Sequence, residues 1–326
     1  MNTNTSMVVD LHRIAYIDIA KCFAILCVVV GHVLLYDLYG FKPVWAKSEL
    51  MKFIYSFHMP LFMFLSGLVS VTAIRKGAVL KDVLKRIRTL LVPFLVIGAA
   101  YSLWLDNNLE FVLDEWKSGY WYLWVLFVFY LATYPISFGG GYLWKVLIAT
   151  AIWIVVNHFV GRVPEEISEA TSVRLMTRYY PYFLMGNAIK RYKLHDMAFG
   201  NSYVFGIAAL VWACSSYFSF RYSNYAVTTA IILVIMNVCR KIDEAGCKVN
   251  SRLVYIGQNT LYIYVFHYFA LMKTPTFVPF LCEHSNFMMD FAVALVPTAF
   301  AVAFSLGVKF ILEREPLVMK WVFGKD

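Results

Sequence analysis

The chain is dominated by long apolar runs. From Ile14 to its C-terminal region it repeatedly presents stretches comparable to the thickness of a hydrocarbon core, about 20 residues at about 1.5 Å rise each, separated by short clusters of charged and turn residues. Such a chain has to fold as helices within a bilayer, because lipid cannot hydrogen-bond an open backbone and a helix satisfies its own. Composition agrees: 61% of the 326 residues are hydrophobic, 15% are charged and the mean hydropathy is +0.65, which excludes an ordinary soluble domain. No stretch remains for a separate soluble catalytic domain, so chemistry is expected within the bundle or at its faces.

Breaking the runs at charge and turn clusters predicts ten helices, over 13–36, 53–74, 89–105, 121–138, 142–160, 173–190, 203–220, 225–240, 254–272 and 289–312. The expected fold class is all-α, a polytopic membrane helix bundle forming a single domain over 1–326. The N-terminal MNTNTSMVVDLHR lacks the basic region of a signal peptide, so the first run is expected to stay as a span. Basic residues gather in three connections, six over 75–88, three over 190–193 and four over 240–252, whereas 106–116 and 163–170 are acidic. Basic loops stay in the cytoplasm, which gives N-in, C-in and makes the net charge of +9 a topology signal that needs no nucleic acid.

Cys22, Cys27, Cys214 and Cys239 fall inside spans, Cys247 in a basic loop and Cys282 on the other side, so no disulfide framework is expected. No Cys/His spacing suits zinc, and no metal is expected. The run Gly139 to Gly141 reads as a tight turn, since neither a strand nor a Walker-type Lys-Ser/Thr accompanies it. There is no internal repeat.

The first run, IDIAKCFAILCVVVGHVLLY, carries Asp18, Lys21 and His32. At about 100° per residue, the 11 steps from Lys21 to His32 end about 20° past three turns, and the 14 from Asp18 end about 40° short of four. All three share a face, with His32 roughly 16 Å beyond Lys21. Charge at membrane depth is costly and marks a pathway or a site. The bland reading pairs Asp18 with Lys21 near the headgroups and gives His32 a neighbouring helix as partner. Against it, His58 and His267 fall at a similar depth on two other helices.

Asp18-x-x-Lys21 with Val30-Gly31-His32, then FHMPLFMFLSG (57–67), KRIRTLLVP (85–93), WYLW (121–124) and IGQNTLYIYVFH (256–267) follow in order over most of the chain. Together they resemble the acyltransferase 3 family of integral membrane acyltransferases, whose ten-span plan also matches. Many members carry Arg where this chain has Lys21; a subset similar to polysaccharide and fucose O-acetylases carries Lys.

The resemblance implies transfer of an acyl group, most often acetyl, from cytoplasmic acyl-CoA to a hydroxyl of a glycan or a lipid-linked sugar, in the plasma membrane of a bacterium. The CoA phosphates cannot enter lipid, whereas the pantetheine arm is slim and weakly polar, so a basic inner mouth is expected at Lys85, Arg86 and Arg88 with Lys81 beside them. Positive-inside topology explains the same charge without a ligand. Lys21 guides the donor one step deeper, oriented by Asp18. Ser66 and Gly67 line a donor channel, or serve as small residues for helix packing. His32 is the expected base or acyl-accepting nucleophile, with His58 orienting or protonating and His267 contacting acceptor or oxyanion. Trp121, Tyr122 and Trp124, with Arg178 and Arg174, stack on or contact the acceptor sugar, or form an interfacial aromatic belt. A shaft open at both ends of the bundle is expected. The alternative reading is a glycan exporter, for which inverted repeats would speak; a structural or receptor role leaves the polar stripe without a reason.

Overall fold

The computed structural model describes residues 15–40, 44–70, 79–106, 109–137, 140–218, 224–246, 249–271 and 278–324. Residues 13–14, the 71–78 stretch with its two basic residues, Gly139, 219–220, Cys247 and 272 lie outside them. The described residues are helical: α1 Ala15–His32, α2 Glu49–Leu68, α3 Val79–Arg86, α4 Val92–Asp106, α5 Trp121–Ser137, α6 Tyr142–Phe159, α7 Glu165–Thr171, α8 Val173–Arg191, α9 Ser202–Phe218, α10 Asn224–Glu244, α11 Val249–Gln258, α12 Thr260–Ala270, α13 Phe287–Leu312 and α14 Pro316–Phe323, with shorter turns between. Five stretches are long and apolar enough to cross a membrane, namely Ala15–Leu38, Val79–Leu105, Tyr142–Arg162, Tyr225–Glu244 and Phe287–Leu312; Trp121–Ser137 and Ser202–Cys214 are apolar but shorter. The protein is a polytopic membrane helix bundle.

Helices α1, α2 and α12 form its centre. Every residue of α2 from Phe57 to Leu68 is buried, whereas Tyr142 alone is buried on α6, an outer helix facing lipid. The chain runs up and down, and contacts at each end show it. At the basic end the Tyr16 hydroxyl meets His195 Nδ1 at 2.9 Å, the Tyr16 amide donates to Asp243, and Lys190 Nζ donates to the Ser70 carbonyl at 2.6 Å. At the opposite end Asp290 in the first turn of α13 accepts from Tyr39 at 2.6 Å and from Ser48, the residue capping α2.

Helix α2 starts before the expected 53 because Ser48 accepts the Met51 amide at 3.1 Å, with Glu49 in the first turn. Helix α3 starts at Val79 rather than 89, so Lys81, Lys85 and Arg86 stand on a helix that passes through a π-helical turn, Ile87–Leu91, into α4. The acidic 163–170 stretch, expected as a loop, contains α7, with Glu165 and Glu166 favourably placed in its first turn. The ninth expected span is two helices. It breaks at Asn259, whose side-chain amide donates to the Tyr255 carbonyl at 2.8 Å and competes with the helix ladder there.

Two prolines inside helices show how the bundle meets the demand of lipid for paired backbone. Pro60 cannot donate to the Ser56 carbonyl four residues back, and Thr228 of α10 donates there instead at 3.1 Å. Pro181 likewise frees the Thr177 carbonyl, which accepts from Trp153 Nε1 of α6 at 2.6 Å. Each proline thereby ties its helix to a neighbour.

α2 and α8 cross with their backbones in close contact. A Cβ on Gly67 would overlap the Phe183 carbonyl, and one on Gly186 would overlap the Phe64 carbonyl, so each glycine admits the backbone of the other helix. Gly186→Ala is expected to cost about 1–3 kcal/mol, the range of overpacking, read as a lower midpoint of thermal unfolding in detergent. Gly206→Ala, whose Cβ meets open space, serves as the control and should leave the midpoint unchanged or raised.

Candidate active site

The polar stripe of α1 begins at the basic end. Asp18 is buried and its carboxylate accepts from Lys21 Nζ at 3.1 Å and from Gln258 Nε2 at 3.3 Å; the Lys21 side chain remains 23% exposed. A Cβ on Gly257 would overlap the Asp18 carbonyl, so α1 and α11 touch backbone to backbone. These contacts give the Gly257-Gln258-Asn259 sequence a physical reading: close approach, a partner for Asp18 and a helix break.

Around the same end, Arg86 lies over the Tyr130 ring at 3.9 Å, with its Nε 3.6 Å from Asp82, itself held by the Tyr134 hydroxyl at 2.7 Å. Arg86 is therefore packed into the protein, whereas Lys81, Lys85 and Arg88 are exposed. Ser66 shares a hydrogen bond of 2.8 Å with the Tyr122 hydroxyl. Tyr122 lines an inner cavity of about 200 Å³ that reaches Thr89, next to Arg88; Ser66 and Gly67 are not among its wall residues, and Gly67 faces α8.

At the other end of the stripe the histidines meet. His267 Nδ1 lies 2.9 Å from the Ile263 carbonyl, so that nitrogen carries the proton and Nε2 of the neutral ring carries a lone pair. His32 Nδ1 lies 2.8 Å from this Nε2, with the two ring planes within 5°, and has to donate. The remaining nitrogen, His32 Nε2, is thereby an acceptor, and the Tyr268 hydroxyl lies 3.2 Å from it. The carbonyl of one helix thus sets the tautomer of a histidine on another. His58 has a partner of its own: Nδ1 donates to the Ile54 carbonyl at 2.8 Å, leaving Nε2 as an acceptor.

His32, His58 and Tyr268 face one chamber of about 620 Å³. Its outer part is aromatic and charged. Trp121 stacks on Tyr179 with centroids 5.2 Å apart, and the exposed Arg178, Asp114 and Trp116 stand toward the mouth. Trp124 lies elsewhere; its Nε1 donates to the Thr171 carbonyl at 3.0 Å and ties α5 to the end of α7. Chamber and inner cavity have Val28, Met59 and Tyr264 in common as wall residues, so in place of the expected open shaft there are two cavities divided by these three side chains. Asp114, Trp116, Gly119 and Tyr268 are chamber residues that sequence reasoning misses. For Tyr268 a signal exists, since it adjoins His267; for the loop residues there is none.

The loop over the chamber is clamped by Lys117, which is 1% exposed. Its Nζ donates to the carbonyls of Asp114 at 2.7 Å, Glu169 at 2.8 Å and Ala170 at 3.0 Å, the last two at the C-terminal end of α7. Burial pulls this ammonium below the ordinary lysine range, against the opposing field of Asp114, Glu115 and Glu169. Its partners are carbonyls with partial negative charge at a helix end, the geometry that suits a cation.

A bundle with this arrangement defines an integral membrane protein with an internal, histidine-lined chamber. The model of a family described as an acyltransferase domain matches residues 14–312, and the chain belongs to this acyltransferase 3 family. Among curated proteins it is similar to nodulation protein NolL of Mesorhizobium japonicum, 29% identical over 181 residues, and to nodulation protein NolL of Sinorhizobium fredii, 32% identical over 179 residues. Each match covers 52% of this chain and 46% of the relative, so the chain spans about half the length of these curated relatives. No solved structure matches it.

Replacing Lys117 with Met should loosen the roof. Loss of hydrogen bonds from a charged donor is worth about 1.5–3 kcal/mol, and the expected result is faster amide hydrogen exchange across 114–119 with exchange in α2 unchanged.

Proposed function

We propose that this chain is a membrane-embedded O-acyltransferase that moves an acyl group, acetyl in the simplest case, from cytoplasmic acyl-CoA to a hydroxyl of an envelope or exopolysaccharide sugar or a lipid-linked glycan. The observation that carries this reading is the fixed tautomer chain from Ile263 through His267 to His32, which leaves an oriented lone pair on Nε2 inside a chamber. On this reading 1–326 is one acyltransferase domain, all ten helical stretches cross the plasma membrane, and both ends of the chain are cytoplasmic.

The exposed Lys85 and Arg88, with Lys81, receive the phosphates of CoA at the basic end, and Lys21, steadied by Asp18, guides the arm inward. Arg86 shapes this mouth by packing on Tyr130. Ser66 acts through Tyr122, and Gly67 through the α2–α8 crossing. The thioester passes along the inner cavity to the dividing side chains below His32. From the other side a sugar enters between Trp121, Trp116 and Arg178, with the Asp114 carboxylate as a hydroxyl partner.

His32 Nε2 then takes the proton of the acceptor hydroxyl as its oxygen attacks the thioester carbon. The C–S bond breaks, and the imidazolium returns that proton to the departing thiolate, so the histidine ends as it began. His267 is the positioning residue: by accepting from Nδ1–H it holds the productive tautomer and stabilises the transient imidazolium, the role a carboxylate fills in a serine hydrolase triad. His58 adds a second acceptor on the chamber wall.

Purified protein given labelled acetyl-CoA should release CoA, and His32→Ala should lower that rate by about 10²–10⁴, the usual contribution of a general base. His267→Phe, which cannot accept from Nδ1, should lower kcat with little change in KM for the donor. Turnover that survives the loss of His32, or movement of a glycan across the membrane without cleavage of acetyl-CoA, would sink the reading.

A further inference from the structure

The Tyr268 hydroxyl has one proton and two acceptors. His32 Nε2 lies 3.2 Å away and the Gly119 carbonyl 3.3 Å away, both toward the long end of the hydrogen-bond range. Neither contact is tight, so the proton can pass between them with a small movement of the ring. The Gly119 carbonyl also accepts from Tyr264 at 2.7 Å, which fixes its direction.

The protein has built this place for the phenol. Gly119 has φ +94°, and a Cβ there would overlap the Tyr268 hydroxyl, so a side chain is excluded on both counts. The preceding Lys117 and Ser118 also have positive φ, at 49° each, which costs energy and persists only where surroundings enforce it. Those surroundings are the three carbonyls on Lys117 and the Ser102 hydroxyl, 3.0 Å from that of Ser118. A strained, clamped turn thus aims one carbonyl at one tyrosine.

The position occupied by the Tyr268 oxygen is where a hydroxyl must stand for His32 to deprotonate it. We propose that Tyr268 is a specificity-determining residue: its hydroxyl holds the acceptor's subsite on His32 Nε2 and yields it, by turning to the Gly119 carbonyl, to a sugar hydroxyl but not to water. This rests on the acyl-transfer reading and deepens it. The chamber is large enough for water, and water on an oriented lone pair hydrolyses a thioester. A water molecule brings only its own hydrogen bonds to displace the phenol. A sugar brings the contacts of its whole ring with the outer chamber, and this remote binding drives the exchange. Tyr268 therefore suppresses hydrolysis of the donor while the chamber lacks an acceptor.

The test uses the full chain in detergent, with acetyl-CoA as probe and no acceptor, following free CoA. Tyr268→Phe should raise CoA release about fivefold, the factor one net hydrogen bond is worth, and His32→Ala placed on top should abolish the gain. Gly119→Ala, which pushes the hydroxyl from its place, should move the rate in the same direction. Damage to the fold lowers turnover, so a gain separates this role from a structural one. A Tyr268→Phe protein with an unchanged melting midpoint and CoA release at or below the wild-type rate overturns the proposal. A gain that persists without His32, or CoA release from no protein in the series, overturns the acyl-transfer reading instead.

Discussion

Lipid offers no hydrogen bonds, and a polar group carried into this bundle has to be answered by another part of the chain. The architecture follows from that demand. The carbonyls freed by Pro60 and Pro181 are met from α10 and α6, the Asp18 carboxylate by Lys21 and Gln258, the Asp290 carboxylate by hydroxyls of Tyr39 and Ser48, and the Lys117 ammonium by three carbonyls. Each answer joins elements distant in sequence or pins a loop to a helix. An exception is Arg86 Nε, buried with no hydrogen-bond partner and held by its stack on Tyr130 and the nearby Asp82.

The chamber applies the same rule to chemistry. The Ile263 carbonyl accepts a hydrogen bond from His267, His267 accepts one from His32, and the hydrogen-bond chain ends at a lone pair facing the chamber with Tyr268 against it. No charged residue is needed to orient the His32 ring. A carboxylate in this place would need its own partners to be tolerable at such depth, whereas a neutral imidazole and a backbone carbonyl need only each other. The three histidines sit at the centre, on α1, α2 and α12, while outer helices such as α6 leave most of their side chains exposed. The centre is where the protein, not the lipid, is the solvent.

Much of this is legible in the chain itself. The shared face of Asp18, Lys21 and His32 follows from helical periodicity, and the pairing of Asp18 with Lys21 from their spacing. Equal depth makes a meeting of His32 with His267 possible without requiring it, because depth says nothing of which helices are neighbours. Trp121, Tyr122 and Trp124 read as one cluster; successive residues on a helix point about 100° apart, and they reach the chamber, the inner cavity and α7 respectively. Gly67 reads equally well as channel wall or packing contact, and the Phe183 carbonyl opposite it supplies the packing contact.

By itself the sequence determined that this protein lives in a membrane, is helical throughout its apolar runs, gathers its positive charge at one end and belongs beside the acyltransferase 3 family. The first three are properties of local composition and periodicity, which each segment carries wherever it is placed, and the last rests on motifs spread in order along the chain. Tertiary structure alone decided the tautomer of His32, the division between two cavities, the strained roof turn and the two acceptors of Tyr268. These depend on close contacts between groups up to 236 residues apart, and no local pattern encodes a contact of that kind.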